Sequence, residues 1–284
     1  MGGVSTAPGF PPAPPRPPSG AGRPRRRTLR WIVAAWAAVV AAITLYSVWH
    51  FPRTAVDQST IAQALPTVDS AAADLVRAAG TDAVPAITGY IAVDAKCRVT
   101  VVRDGARYQR WVRFYTAAGA EPALLDGIAK RLPARYDPLV AHPATGPVLH
   151  ADPGNFVTVT GGIVGPGQVR VTVDTGCRPQ RHPVTETGTA AGAPDRAPVA
   201  AVLAALGVQG ARQETHRVVC PGGGAVWTLQ AEGGSSARSL ADALKQPAPV
   251  LARPDAYAYR DGDVGMAVRV QDGTVSVTAT TACQ

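Results

Sequence analysis

"VRVTVDTGC", Val169–Cys177, returns at the end of the chain as "VSVTATTAC", Val275–Cys283. Five of nine positions are identical, and the spacing of Val, Thr and Cys is unbroken. Strand side chains alternate between two faces. Val169, Val171, Val173, Thr175 and Cys177 therefore share one face, and Val275, Val277, Ala279, Thr281 and Cys283 share the equivalent one. Both cysteines stand on the apolar side, toward a core. A turn signal precedes each copy, Gly165-Pro166-Gly167 in the first and Asp272-Gly273 in the second.

The match continues upstream. Trp111 meets Trp227 at an offset of 116 residues; at the same offset Leu124 meets Leu240, Asp126 meets Asp242, and Ile128 meets Leu244. Both segments read as a short helix closed by proline, at Pro133 and Pro247. "PVL" occurs at Pro147–Leu149 and at Pro249–Leu251. Each half opens on a helix pattern ending at glycine, which suits a left-handed cap. Val68, Ala72, Leu75 and Ala79 share a face before Gly80, and Val199, Val202, Leu203 and Leu206 share one before Gly207. "RVTVVRDGARYQRWVRFYT" after Cys97 reads as a hairpin turning at Asp104-Gly105, and "PGGGA" at Pro221–Ala225 as a second hairpin loop. The expected unit is helix, strand with Cys, strand, helix, then two or three strands ending in Cys, made twice by tandem duplication.

Four cysteines allow three pairings. The repeat selects Cys97–Cys177 and Cys220–Cys283, one bond per half. Closing loops of roughly 80 and 63 residues restricts the unfolded chain by about 4 kcal/mol each in the idealised account. Redox catalysis asks for CxxC or an activated thiolate, and no two cysteines here are close in sequence. The bonds are expected to be structural.

"WIVAAWAAVVAAITLYSVW", Trp31–Trp49, carries no charge. A helix of that length spans about 28 Å, near the hydrocarbon thickness of a bilayer. Trp31, Trp36, Tyr46 and Trp49 supply aromatics suited to a membrane anchor and its headgroup ends. Arg23, Arg25, Arg26, Arg27 and Arg30 precede the span, while only His50 and Arg53 follow closely. That asymmetry places the N-terminus in the cytoplasm and the remainder outside a plasma membrane, where an oxidising compartment permits disulfides. A cleaved signal peptide is the alternative, with Ala41 and Ala42 near a peptidase-like site, but the apolar run exceeds the usual 7–15 residues. The tail before it is Pro- and Arg-rich and reads as disordered. Pro11-Pro12-Ala13-Pro14-Pro15-Arg16 matches a PxxPxR polyproline ligand, and equally a solvated linker.

The chain has 284 residues and a net charge of +8. Six arginines lie in residues 1–30 with no acidic residue; without them 22 basic residues face 20 acidic ones. The body is nearly neutral and presents no basic run for nucleic acid. Of 28 basic residues only Lys96, Lys130 and Lys245 are lysine, in a sequence with 29 Gly and 26 Pro. In this composition, and in its single apolar span, the chain resembles uncharacterised single-pass envelope proteins of actinobacteria. That resemblance implies an envelope location and no particular reaction.

Motifs that carry chemistry are sparse. His150-Ala151-Asp152 offers two polar groups along a strand without an HExxH, EF-hand or Cys/His cluster, so no metal and no cofactor is expected. "GGSSA" at Gly233–Ala237 lacks the GxSxG pattern of a nucleophile elbow. Asp126 and Asp242 read as solvated or capping carboxylates. In "RYQRWVRFY", Tyr108, Arg110, Val112 and Phe114 share one strand face, and Gln109, Trp111, Arg113 and Tyr115 the other. A strand covered on both sides accounts for this. A face that binds glycan or peptide through Trp111, Arg113 and Tyr115 accounts for it too.

The expected molecule is α+β: a single N-terminal transmembrane helix followed by two similar disulfide-closed domains. Its organisation is a disordered Pro/Arg-rich cytoplasmic tail (1–30), a transmembrane helix (31–49) and a juxtamembrane linker (50–66). An extracytoplasmic domain (67–177), a linker (178–194) and a second extracytoplasmic domain (195–284) follow. The linker from about Arg178 is expected to be exposed. The expected role is a non-enzymatic binding or assembly protein of the cell envelope, with the membrane and an envelope protein or glycan as partners. The alternatives are a sensor subunit with a signalling tail and an envelope enzyme with an inter-domain site.

Overall fold

The computed structural model describes residues 25–50, 59–180, 182–184, 186, 193–236, 238–245 and 248–283. It divides into two compact units, Met1–Pro52 and Arg53–Gln284. In the first, helix α1 (Arg25–His50) contains a stretch, Leu29–Ser47, long and apolar enough to cross a membrane. Trp31, Trp36 and Tyr46 stand exposed on it, as does Arg30. Arg23 and the PxxPxR segment lie outside the described residues, as do the side chains of Arg25, Arg26, Arg27 and Trp49.

The second unit opens with helix α2 (Ile61–Ala79). It starts six residues before the expected domain boundary and runs through Pro66. A capping box between Thr60 and Gln63 begins it, and the Ile61 amide donates to the Pro179 carbonyl at 3.1 Å. Val68, Ala72, Leu75 and Ala79 are buried as their spacing requires. Gly80 ends the helix at φ +60, where a Cβ would be strained. Next come β1 (Val84–Ile87), β2 (Ile91–Thr100), β3 (Arg103–Tyr115), helix α3 (Glu121–Arg131), β4 (Leu139–Ala141), β5 (Val148–Gly154), β6 (Val157–Gly165) and β7 (Gln168–Asp174). The second half repeats the plan with helix α4 (Arg196–Leu206), β8 (Arg212–Val219), β9 (Ala225–Gly233), helix α5 (Leu240–Leu244), β10 (Leu251–Ala252), β11 (Ala256–Asp261), β12 (Val264–Gln271) and β13 (Thr274–Thr281).

Each half builds its own antiparallel sheet. The first has the order β1-β3-β7-β6-β5-β4, with β2 also paired to β3, and the second β10-β11-β12-β13-β9-β8. Reading one backwards gives the other: β1 and β2 together occupy the place of β8, and β3 and β7 those of β9 and β13. Four strands follow the inner helix of each half, rather than two or three. The recurring nonapeptide is the central strand, β7 or β13, with its cysteine just beyond. Its valines Val171, Val173, Val275 and Val277 are wholly buried, and Leu124, Ile128, Leu240 and Leu244 pack in the cores over them.

Several correspondences read from sequence do not survive the strand register. Trp111 pairs with Thr172, but Thr278, the same nonapeptide position, pairs with Gln230. Trp111 is therefore equivalent to Gln230, and Trp227 shares the opposite, core-facing side of β9 with Leu229. The two "PVL" triplets lead into β5 and β10, which are not equivalent strands. The β2–β3 hairpin turns at Val101-Val102, and Asp104-Gly105 lies within β3. Gly105 is there for close approach: a Cβ would stand 2.2 Å from the Arg178 carbonyl oxygen.

The cysteines join as Cys97–Cys177 and Cys220–Cys283, with Cα–Cα distances of 5.9 and 6.0 Å. Arg178, at the start of the expected exposed linker, is 1% exposed. Its guanidinium donates to the carbonyls of Thr175, Ser59 and Asn155, so the chain is held against the first half before it crosses to the second.

The halves also share buried surface. Val218, Cys220 and Val226 belong to the first half's core, and Val84, Ala86 and Tyr115 pack with Leu251, Ala256, Ala258 and Ala267. Between them lies a charged knot on Arg110, whose side chain is fully buried. Its Nη1 donates to Asp69 Oδ1 at 2.6 Å and to the Arg217 carbonyl at 3.1 Å, and its Nη2 to Glu186. The Tyr90 ring centroid lies 4.0 Å from the guanidinium carbon, and the Tyr90 hydroxyl donates to Asp69. The other Glu186 oxygen lies 2.7 Å from His216 Nδ1. Burial pushes the Asp69 carboxyl up against the pull of Arg110. Burial also raises Glu186, but the His216 hydrogen bond and the Arg110 charge outweigh it and hold Glu186 below its ordinary value.

Two outcomes are expected. Arg110→Met leaves two half-buried carboxylates facing each other and should destabilise the protein by about 3–5 kcal/mol in urea unfolding. Removing either disulfide as a double Cys→Ala variant should cost about 2–5 kcal/mol, and peptide mapping without reductant should return only the two pairs above.

Candidate functional site

The helix-free faces of the two sheets turn toward one another and enclose a cleft of about 270 Å³. Trp111, Arg113 and Tyr115 from β3 form one wall, Gln230 and Glu232 from β9 with Ser276 and Thr278 from β13 the other, and Arg269 from β12 closes an edge. The second cavity, about 660 Å³, shares Trp111, Arg113 and Arg269 and adds Arg170, Gln168 and Asp255. The two adjoin along these shared side chains, and the groove is the pair of them. The three binding residues expected from sequence thus stand together on it, on a strand that is also covered on both sides.

The strand register explains the arrangement. Arg113 pairs with Arg170, and Glu232 pairs with Ser276. Arg113 and Glu232 take matching register positions against the two nonapeptide strands, as do Arg170 and Ser276 within them. Both copies turn the same face to the groove, where side chains alternate with the valines of the core. The sequence reading missed Arg170 and Arg269, although Arg170 is the outward second residue of the nonapeptide itself.

The first wall is cationic. Arg113 and Arg170 lie directly opposite one another on neighbouring strands, their guanidinium carbons 5.3 and 4.9 Å from the Trp111 ring. Burial, then the charges of Arg269 and Arg170, hold the Arg113 guanidinium below its usual value. Among the described residues, none of the three arginines has a carboxylate within 4.0 Å. The carboxylates nearby have their own partners. Glu214 pairs with Arg212 at 2.7 Å, Asp255 with Arg253 at 3.3 Å, and Glu232 accepts from Gln230 at 2.7 Å. Burial pushes the Tyr115 hydroxyl up.

The remaining sequence candidates lie elsewhere. His150 is exposed on β5, and Asp152 accepts from the Gly154 amide at 2.8 Å at the end of the same strand. Asp126 lies 3.5 Å from His142, while Asp242 accepts from the Ser239 hydroxyl at the start of α5. His216 reaches the cleft with Glu186 behind it. Among the described residues no hydroxyl or thiol is within hydrogen-bonding distance of its Nε2.

No family model matches the chain, and no curated protein matches it in sequence.

Like charges directly opposite on adjacent strands repel. Arg170→Gln should therefore raise the melting free energy of the unliganded protein by about 0.2–1 kcal/mol, read by thermal unfolding at low salt. A clear loss would mean that Arg170 is held by favourable contacts instead.

Proposed function

We propose that the chain is a membrane-anchored extracytoplasmic binding or assembly protein of the cell envelope, and that its partner seats in the groove between the sheets. The observation that carries this reading is the groove itself: an aromatic ring flanked by guanidinium groups, on matching faces of two sheets, opening to solvent. Trp and Arg are the residues that most often carry binding energy at recognition surfaces. A tandem duplication is supported by the shared strand order and by the recurring nonapeptide at the same central strand. It supplies two equivalent faces, and divergence of Arg113 from Glu232 makes them complementary rather than identical. Anchoring is supported by the length and apolar character of α1. An N-in orientation is supported by the arginines before α1, and an exterior location by the two disulfides.

The test has two arms. A reporter active only outside the cytoplasm should work when fused at Gln284 and fail when fused near Gly22; the reverse pattern rejects the orientation. A photo-crosslinking residue in place of Trp111 should capture a partner in intact membranes, whereas the same residue in place of the exposed Lys130 should not. Equal capture from both sites, or none from Trp111, rejects the groove as the binding surface.

A further inference from the structure

We infer that the groove recognises an oxyanion, a phosphate or carboxylate group on its ligand, through Arg113, Arg170 and Arg269. The inference rests on the reading of this groove as the binding site and adds the chemistry of what enters it.

The argument begins with an unbalanced charge. Arg113 and Arg170 face each other across β3 and β7, the least favourable placement for like charges on a sheet. Arg269 comes from the other sheet and lines both cavities with Arg113. Three cations from two halves thus converge on one space. The fold supplies their neighbours with partners; among the described residues none of the three arginines has a carboxylate within 4.0 Å, and Arg269 donates to the side-chain oxygen of Gln271. Elsewhere the same protein gives its buried guanidinium groups partners: Arg110 meets two carboxylates, and Arg178 donates to three carbonyls. In the groove, by contrast, Arg113 and Arg170 face one another, and this is the cluster that opens to solvent.

Guanidinium forks match the two oxygens of a carboxylate or phosphate, and Arg113 and Arg170 both make cation–π contacts with the Trp111 ring. All three side chains are only partly exposed, so bulk water screens them less than at an open surface. An anion bound there relieves the repulsion between the arginines as well as making hydrogen bonds. Gln168, buried beside Arg170, donates its side-chain amide to Asp255 at 3.2 Å and so ties that carboxylate down.

The test uses the full chain in lipid nanodiscs, titrated by calorimetry with pyrophosphate, with citrate, and with maltose as a neutral control. Pyrophosphate or citrate should bind, the tighter of the two identifying the phosphate or the carboxylate source, and affinity should fall as salt rises. Arg170→Gln and Arg269→Gln should each weaken binding by roughly tenfold or more, and Lys130→Gln should leave it unchanged. Because Arg170→Gln relieves repulsion, its unaltered or raised melting point separates lost recognition from lost folding. Anion binding that is absent, or equal in Arg170→Gln and Lys130→Gln, overturns the inference. Should partner capture at position 111 persist in Arg170→Gln and Arg269→Gln, the groove still binds and only the oxyanion chemistry fails. Should capture fail while anions bind as described, the oxyanion site stands and the partner-binding reading falls.

Discussion

A guanidinium with no exposure to water is tolerated only if its charge is matched where it sits. Arg110 is matched by groups from four places: Asp69 on α2, Tyr90 before β2, Glu186 between the halves, and the Arg217 carbonyl on β8. None of these is local in sequence, so the knot forms only when both halves are folded and docked. It fixes β8 against the first sheet. The edge strand β1 then lies across the free face of the second sheet, where the Ile87 amide donates to Thr228 Oγ1 at 3.3 Å. The width of the groove is a consequence of that docking, since its walls belong to sheets that Arg110 and the Val84–Ala258 cluster hold together.

The two faces of β3 show how one strand serves both purposes. Val112 and Phe114 enter the core under α2 and α3, together with the Arg110 charge. Trp111 and Arg113 look the other way into the groove. The same division applies to β7 and β13, where the valines are buried and Arg170, Ser276 and Thr278 line the groove. Two similar antiparallel sheets with helices on one face only leave the other face of each sheet uncovered. Packing the two uncovered faces partly against each other hides their apolar portions and leaves the polar remainder as a cleft.

Much of this was legible in the sequence because it rests on periodicity. The valines of the nonapeptide and the helix faces of Val68–Ala79 and Val199–Leu206 follow from residue spacing, and the cysteine pairing from the recurrence of the nonapeptide. What failed depends on register, which spacing does not report. The Trp111/Trp227 match was gap-free yet falls on opposite faces of equivalent strands, a difference of three residues. Asp104-Gly105 has the chemistry of a turn, but Gly105 is used to let the Arg178 carbonyl approach, and the turn moves to Val101-Val102. Helix α2 reads as beginning late because Pro66 interrupts the pattern, while the Thr60–Gln63 box starts it earlier. The groove was half visible: alternation grouped Trp111, Arg113 and Tyr115, but the convergence of Arg170 and Arg269 upon them is a property of two sheets meeting.

The disulfides also govern how the molecule answers to tension. Each joins the edge region of a sheet to the end of its central strand, and the chain between them is closed into loops with sequence separations of 80 and 63. A pull along the polypeptide passes through the sulfur bridges and bypasses everything inside those loops. Even with every hydrogen bond broken, only the segments outside the loops lengthen. A molecule held at one end and drawn at the other would therefore stretch briefly and then stiffen. The nonapeptide strands of both halves, lying within the loops, would be spared the load.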